Sequence, residues 1–252
     1  MLIEQTLEKL TALQLHGMVG ALHQWQAHPP AQPLTPTDLI GLLADAEWIA
    51  RENRKLTARL KVAKLKLPAC VEDIDYRHPR GLAKARVLDL STSRWVAAHQ
   101  TVILSGPTGV GKSYLACALG HKACRDGYTV AYRRLSRLFD ELAQARADGT
   151  YLTALHRLVK VLALVLDDFG LEPLGPAERK ALLEVLEDRY GVGATVITSQ
   201  LDPDDWHPVI GDDTVADAIC DRLVHGAHRI KLTGESLRKP RPSLTNEPKG
   251  EK

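Results

Sequence analysis

The chain has 252 residues, of which 44% are hydrophobic and 25% charged, a composition typical of a globular protein and unlike that of a disordered or fibrous one. Its formal net charge of +2 does not by itself indicate a nucleic-acid partner, so any such indication must come from how the charges are distributed. The chain shows neither a signal-peptide pattern nor an apolar run long enough to cross a membrane, and we expect a cytoplasmic protein.

The four cysteines are Cys70, Cys117, Cys124 and Cys220. None of them forms a CxxC pair, and no histidine cluster stands at metal-binding spacing, so the sequence does not indicate a zinc site. We expect reduced thiols, with Cys117 and Cys124 on the buried face of a helix.

The first quarter of the chain has helical periodicity. Apolar residues recur every three to four positions over residues 2–28, which predicts an amphipathic helix, broken near Gly17. After a proline-rich turn, Thr37 is predicted to cap a second helix that ends at Pro68. We therefore predict a small all-helical module at residues 1–66, which would bind DNA or a partner. A connector at 67–98 follows it, and a basic, disordered tail is predicted at 235–252.

Between these segments, strand-like and helical runs alternate. Strands are predicted at 101–106, 128–133, 161–168, 194–200 and 228–232. Helices are predicted from Lys112 onward and at 136–147, 176–190 and 214–226. This alternation predicts an α/β domain at residues 99–234, with a parallel five-stranded sheet covered by helices on both faces.

The segment GPTGVGKS, residues 106–113, fits the phosphate-loop pattern G-x-x-x-x-G-K-[ST] and lies between a predicted strand and a predicted helix, as the pattern requires. Its glycines let backbone N–H groups turn inward, and the helix presents its positive N-terminus to the phosphates. Lys112 is expected to reach the β- and γ-phosphates, and the Ser113 hydroxyl to bind Mg²⁺. ATP and Mg²⁺ are the expected cofactors, with nucleotide contacts from Gly106, Pro107, Thr108, Gly109, Val110, Gly111, Lys112, Ser113 and Tyr114.

Two adjacent aspartates end the buried strand in LALVLDDFG, residues 162–170. A phosphate loop needs a carboxylate at the end of a neighbouring strand to hold magnesium, and Asp167 is the residue predicted for that role. Asp168 has two interpretations: it polarises the attacking water, or it is a loop residue that caps the turn at Gly170.

Several segments together carry a family resemblance: GPTGVGKSYLACALGHKACRDGYTV, LDDFGLEPL, AICDRLVHGAHRIKL, GESLRK, LHGM and LPACVEDIDYRHPRGL. Over nearly its whole length the chain resembles the IstB-like transposition helper ATPases, AAA+ proteins related to the DnaC helicase loaders. The resemblance implies an AAA+ P-loop fold whose helical lid is shortened or absent, since about 20 residues follow the last predicted strand.

The same resemblance implies roles for further polar residues. One residue of the TSQ segment would sense the γ-phosphate, and Gln200 is preferred to Thr198 and Ser199, although a strand simply ends there in the alternative interpretation. Arg222 resembles the arginine finger that reaches a neighbouring subunit's nucleotide; the alternative is an ordinary helical surface charge. Arg238 resembles a second arginine sensor.

Residues 51–66 hold seven lysines and arginines and one glutamate, many at helical spacing. One stripe of this helix could face a DNA backbone, or it could simply be a solvated surface. A second basic cluster, at the end of the second predicted strand, could line a DNA path or start a helix with solvent-facing arginines. The candidate DNA contacts are Arg51, Arg54, Lys55, Arg59, Lys61, Lys64, Lys66, Arg133, Arg134 and Arg137.

These observations and the resemblance together predict an ATPase that helps transposition. It would assemble as a homo-oligomer on double-stranded DNA with little sequence specificity, and it would recruit or stimulate a transposase. A replicative helicase loader and a nucleotide-gated DNA scaffold without significant turnover are the alternatives. No membrane partner is expected.

Overall fold

A computed structural model of the protein describes residues 2–29 and 34–237. The chain divides into two compact units, residues 1–61 and residues 62–252, and each is considered by itself. The sequence had indicated a division after residue 66. Arg238 and most of the predicted basic tail lie outside the described residues.

The first unit is built from helices α1 (Leu2–Ala12), α2 (His16–Ala27) and α3 (Pro36–Ala63), the last of which runs two residues past the unit boundary. Gly17 lets α2 approach α3 closely, because a Cβ at this position would lie 2.4 Å from the Ala46 carbonyl oxygen. Beside it, Glu47 is only 5% exposed and accepts the Gly17 N–H at 2.7 Å. Hydrogen bonding and the absence of a side chain thus fix one contact between the two helices.

Three helix boundaries differ from those predicted. The first long helix breaks at residues 13–15, where Gln14 has a φ of 60°, and a new helix begins at His16. The cap of α3 is Thr35 rather than Thr37: the Thr35 hydroxyl accepts the Asp38 N–H at 3.2 Å, and Asp38 Oδ2 accepts the Thr35 N–H at 3.3 Å. At its other end α3 stops before Pro68, because Lys64 takes a left-handed φ of 51°.

The second unit contains a parallel sheet in the order β2-β3-β4-β1-β5. This confirms the predicted fold class. The first residue of each strand is within two positions of the predicted one. The strands are β1 (Thr101–Ser105), β2 (Val130–Arg134), β3 (Ala163–Phe169), β4 (Ala194–Ser199) and β5 (His228–Lys231). Because the strands are parallel, all of their carboxyl ends lie at one edge of the sheet, which is where the phosphate loop and the two aspartates were predicted.

Helices cover both faces of the sheet, and their bounds are α4 (Lys84–Leu90), α5 (Arg94–Ala97), α6 (Lys112–Arg125), α7 (Leu135–Ala147), α8 (Tyr151–Val159), α9 (Pro176–Arg189), α10 (Trp206–Ile210) and α11 (Asp213–Val224). Leu164 and Leu166 of β3 join a core with α7, α9 and α11 on one face. Val165, between them, faces α6, where a Cβ on Gly120 would lie 3.8 Å from Val165 Cγ2. The alternation along β3 therefore places the sheet between two helical layers.

The predicted connector at 67–98 is not a plain linker, since it contains α4 and α5. Val87, Leu90 and Trp95 of these helices are buried, and the Trp95 indole N–H donates to the Leu90 carbonyl at 3.0 Å. The sequence analysis also missed α8 and α10, which are short. The two cysteines predicted to be buried on a helix, Cys117 and Cys124, are fully buried in α6, and none of the four cysteines, all of which lie in the described part of the chain, forms a disulfide.

No helix within residues 2–29 and 34–237 combines the length and the apolar composition that a membrane crossing requires.

Candidate nucleotide site

The segment GPTGVGKS connects β1 to α6 at the carboxyl edge of the sheet. Gly106, Gly109 and Gly111 have φ values of 138°, 90° and 100°, which L-residues with a side chain rarely adopt. Gly106 also needs the space of its missing side chain, because a Cβ there would lie 2.0 Å from the Leu232 carbonyl oxygen. The turn that the sequence predicted is therefore required by both backbone conformation and packing.

Lys112 lies at the first position of α6 and is 8% exposed. Its ammonium folds back over the loop and donates to the carbonyl oxygens of Gly106 at 2.7 Å and Pro107 at 2.8 Å. The charge is thereby held against the loop, where a nucleotide's phosphates would be cradled.

The two aspartates of β3 lie in a β-bulge. Leu166 pairs with Ile197, but the next pair is Phe169 with Ser199, so that Asp167 and Asp168 stand opposite Thr198 alone. Asp168 takes a left-handed φ of 65°, which aspartate tolerates better than most residues. Bulges commonly redirect side chains beside active sites, and this one gives the two carboxylates different surroundings.

Asp167 is fully buried and receives hydrogen bonds on both oxygens. Ser113 donates to Oδ1 at 2.8 Å, Thr198 donates to Oδ1 at 2.6 Å, and Tyr132 donates to Oδ2. Lys66 Nζ lies 3.2 Å from Oδ2. Burial raises the pKa of Asp167, but the hydrogen bonds and the Lys66 charge outweigh it and hold the pKa below its ordinary value. The group is therefore a carboxylate, whereas burial and its bond to Asp167 raise the pKa of the Tyr132 phenol.

The donor set at this point fits magnesium. A hydroxyl oxygen of Ser113 and a charged carboxylate of Asp167 stand within hydrogen-bonding distance of each other at the foot of the phosphate loop. Mg²⁺ prefers oxygen ligands and is commonly held by one or two carboxylates together with phosphate oxygens and water. Ser113 and Asp167 would thus hold the metal that the sequence predicted.

Asp168 is partly exposed and makes different contacts. Its N–H donates to the Thr198 hydroxyl at 3.0 Å, and its Oδ2 forms an ion pair with Arg134 Nε at 3.1 Å. It also lines a cavity of about 440 Å³ beside the phosphate loop, together with Lys112, Ser113 and Gln200. Thr198 therefore links the two aspartates, because it donates to Asp167 and accepts from Asp168.

The amino-acid sequence is similar to those of known proteins. The family model described as IstB-like ATP binding protein matches residues 8–245. The chain belongs to the IstB-like family. A similar relative is the putative insertion sequence ATP-binding protein y4pL of Sinorhizobium fredii, which is 52% identical over 239 residues that cover 95% of this chain and 98% of the relative.

Solved structures similar to this IstB-like protein show the same fold. The crystal structure of DnaI superposes with a TM-score of 0.58 at 24% identity, covering 66% of this chain and 92% of DnaI. The DnaC helicase loader gives a TM-score of 0.54 at 21% identity, covering 69% of this chain and 100% of the loader. At these identities the likeness concerns the fold, and it confirms the AAA+ P-loop architecture.

Two contacts of the site in this IstB-like protein were not predicted from the sequence. Arg80 is buried and donates to the Val110 carbonyl of the phosphate loop at 3.1 Å, and its Nε has no hydrogen-bond partner among the described residues. Leu237 donates its N–H to the Gly109 carbonyl at 3.0 Å. Both also line the cavity, with Tyr114 and Thr108. Both residues lie outside the phosphate-loop segment, one in the predicted connector and one in the predicted tail. The sequence pattern therefore did not indicate that they reach the loop.

Arg222 lies elsewhere in the IstB-like protein. It belongs to α11 and lines a cavity with Thr101 and Thr195, near the amino ends of β1 and β4. Its guanidinium donates to the Ala218 carbonyl at 2.9 Å and to Glu187 Oε1 at 2.9 Å, and its side chain is 28% exposed. The described structure thus separates Arg222 from the phosphate loop.

More of the basic residues in the run at 51–66 form ion pairs with acidic residues than the sequence indicated. Glu47, which precedes the run, accepts from Arg51 at 2.7 Å and from Arg54 at 3.2 Å. Within the run, Lys55 pairs with Glu52 at 2.8 Å. Acidic partners therefore offset part of the charge of this run, whereas Lys61 and Lys64 are exposed.

The second basic cluster is also paired with acids. Arg133 bonds Glu141 at 3.1 Å, and Arg137 lies 3.7 Å from Asp140. Arg134 differs from both, because its partner is Asp168 of the nucleotide site. A basic residue predicted to touch DNA is thus in direct contact with a residue predicted to direct water.

Proposed function

We propose that this protein is an ATP-dependent DNA-binding helper of transposition, which assembles on target DNA and recruits or stimulates a transposase. Its membership of an ATP-binding family and the insertion-sequence name of its similar relative support the proposal. The single observation that carries the enzymatic part is the phosphate loop placed against a buried, charged Asp167.

The residues divide the chemistry of ATP hydrolysis between them. The loop N–H groups and the Lys112 ammonium would bind the phosphates, while Ser113 and Asp167 would hold Mg²⁺, which would offset the negative charge of the phosphates during transfer. Asp168 directs the attacking water, because it lines the same cavity as Lys112 and Ser113. Gln200 lines this cavity at the end of β4 and senses the γ-phosphate.

The ion pair between Asp168 and Arg134 indicates a slow basal rate. Arg134 Nε lies 3.1 Å from Asp168 Oδ2, so the guanidinium occupies a position from which the attacking water would otherwise contact this oxygen. A guanidinium binds phosphate as well as carboxylate, because its planar set of N–H donors matches the oxygens of both. DNA bound at Arg134 would therefore release Asp168 and accelerate hydrolysis.

Two surfaces would hold the DNA. One is the basic run at the end of α3 and directly after it, with Arg51, Arg54, Lys55, Arg59, Lys61 and Lys64; the other is the cluster of Arg133, Arg134 and Arg137. These are backbone contacts, so affinity would be similar for all sequences and would fall with salt.

The test is phosphate release with and without duplex DNA at saturating ATP. We expect stimulation by DNA of about tenfold or more, and loss of nearly all turnover in Asp168→Asn, which keeps the left-handed backbone conformation. Arg134→Gln should raise the basal rate and reduce the stimulation. Arg137→Gln removes an arginine of the same proposed DNA surface that pairs with Asp140 and not with Asp168, so it is the matched control for the basal rate without DNA, which it should leave unchanged.

If the wild type binds ATP but releases no phosphate under either condition, the protein is a nucleotide-gated scaffold and not an ATPase. Partner identity is tested separately, by capture with a transposase encoded beside the gene and with a hexameric helicase. Capture of the helicase alone would favour the loader alternative.

A further inference from the structure

Lys66 follows the end of α3 by three residues, and its ammonium points to the nucleotide site. Its Nζ lies 3.2 Å from Asp167 Oδ2; the lysine side chain is 44% exposed, whereas the carboxylate is fully buried. In the sequence, Lys66 is the last residue of the basic run at 51–66. The structure places its charge on the predicted magnesium ligand instead.

The chain around Lys66 is anchored beside α6. Leu65 packs on this helix, where a Cβ at Gly120 would lie 3.1 Å from Leu65 Cδ2. The backbone at Leu67 and Lys66 lies beside the buried Cys117 thiol, also in α6. Ala63 on one side and Ala69 on the other are buried. Lys66 is thus held close to Asp167 by its neighbours and is not a freely moving surface lysine.

Asp167 needs a cation because it is charged and buried. Ser113, Tyr132 and Thr198 donate hydrogen bonds, but they are uncharged hydroxyls. A buried carboxylate loses its hydration, and a nearby positive charge offsets that loss more effectively than dipoles alone. The Lys66 ammonium supplies this positive charge, because it donates a hydrogen bond to Asp167 Oδ2.

Magnesium needs the same carboxylate. A divalent cation and an ammonium that share one carboxylate repel each other strongly at a few ångströms, in a site where water screens little. We propose that Lys66 is the resident cation of the magnesium site: its ammonium neutralises Asp167 when no metal is bound and leaves Asp167 when Mg²⁺ binds with the nucleotide. This inference rests on the proposed nucleotide and magnesium site.

We expect Lys66→Met to lower the stability of the metal-free protein and to raise its affinity for divalent cations. Lys66→Met keeps the length and the apolar stem of the side chain but removes the charge. Without metal, Asp167 would lose its counter-ion and the protein would be destabilised. With metal, the competitor would be absent and divalent cations would bind more tightly.

The experiment measures Mn²⁺ affinity by the paramagnetic resonance signal of the free ion at saturating ADP, and the melting temperature in chelator. We expect Lys66→Met to bind Mn²⁺ about fivefold more tightly, as removal of one partly exposed charge allows. Its melting temperature in chelator should fall by about 3 °C. Saturating Mn²⁺ and ADP should abolish that deficit. Lys180→Met, at an exposed lysine of α9, is the control for loss of charge alone and should change neither quantity.

A second background separates charge from packing. In Asp167→Asn a neutral amide replaces the carboxylate, so no buried charge remains for Lys66 to offset. Adding Lys66→Met to this variant should therefore cost no further stability. An equal loss of melting temperature in both backgrounds would show that Lys66 acts through packing and would overturn the proposal, as would an unchanged or weaker Mn²⁺ affinity. If the wild type binds no Mn²⁺ with ADP, the metal site itself is wrong, and the role of Lys66 falls with it.

Discussion

The two edges of the sheet carry charged groups in very different states. At the carboxyl edge, Lys112, Asp167 and Thr198 are buried and satisfied by one another and by the loop. At the amino edge, Arg222 is partly exposed and lines a cavity of about 320 Å³. The cation at the carboxyl edge is buried against the phosphate loop, whereas the cation at the amino edge is partly exposed and paired with Glu187.

The distance between the edges gives this difference a meaning. β1 has five residues, and at about 3.3 Å per residue its first and last Cα atoms are roughly 13 Å apart. An arginine side chain is much shorter than that. If Arg222 acts on a nucleotide, as the proposed function requires, that nucleotide would belong to a neighbouring copy of the chain, and a head-to-tail assembly would bring the two edges together.

The largest effect expected from this comparison is on hydrolysis. Arg222→Ala should lower the rate of phosphate release by about a thousandfold, the scale of an arginine that stabilises the transferring phosphoryl group. ATP affinity, measured by titration of a fluorescent analogue, should change little because the carboxyl edge is intact. Arg229→Ala removes an exposed arginine of β5 and is the control. Normal turnover in Arg222→Ala would make Arg222 a surface charge paired with Glu187.

The carboxyl edge should show the opposite pattern. Lys112→Ala removes a buried ammonium on which the phosphates depend, and we expect ATP affinity to fall by about a hundredfold. The same fluorescent titration measures it. Affinity within a few-fold of the wild type would mean that the loop carbonyls, and not phosphates, are the functional partners of this lysine.

The sequence predicted the carboxyl edge well because its chemistry is local. The spacing of the phosphate loop fixes its glycines, Lys112 and Ser113 over eight residues, and the hydrophobic run before Asp167 fixes the neighbouring strand. The parallel fold then brings the two strand ends together. No knowledge of side-chain contacts is needed for this step.

Contacts between distant segments could not be predicted in this way. Arg80 and Leu237 reach the loop from segments that looked like connector and tail, and Lys66 from a run that looked like a DNA surface. Periodicity reports which face of an element is buried, but not which charge a buried carboxylate will meet. The bulge at Asp168 is similarly invisible, because it depends on the register with β4.

The smallest expected effect is also the sharpest test of the two-edge comparison. Lys112→Ala chains retain Arg222, and Arg222→Ala chains retain the nucleotide site, so each supplies what the other lacks. An equal mixture on DNA should recover about a quarter of the wild-type rate, since a head-to-tail contact needs Lys112 on one side and Arg222 on the other. Phosphate release measures the recovery. The control mixes Arg222→Ala chains with chains that carry both Lys112→Ala and Arg222→Ala. This mixture has no Arg222 at any interface and should stay inactive. A mixture as inactive as that control, in assemblies of normal size, would show that the two edges do not act together across subunits.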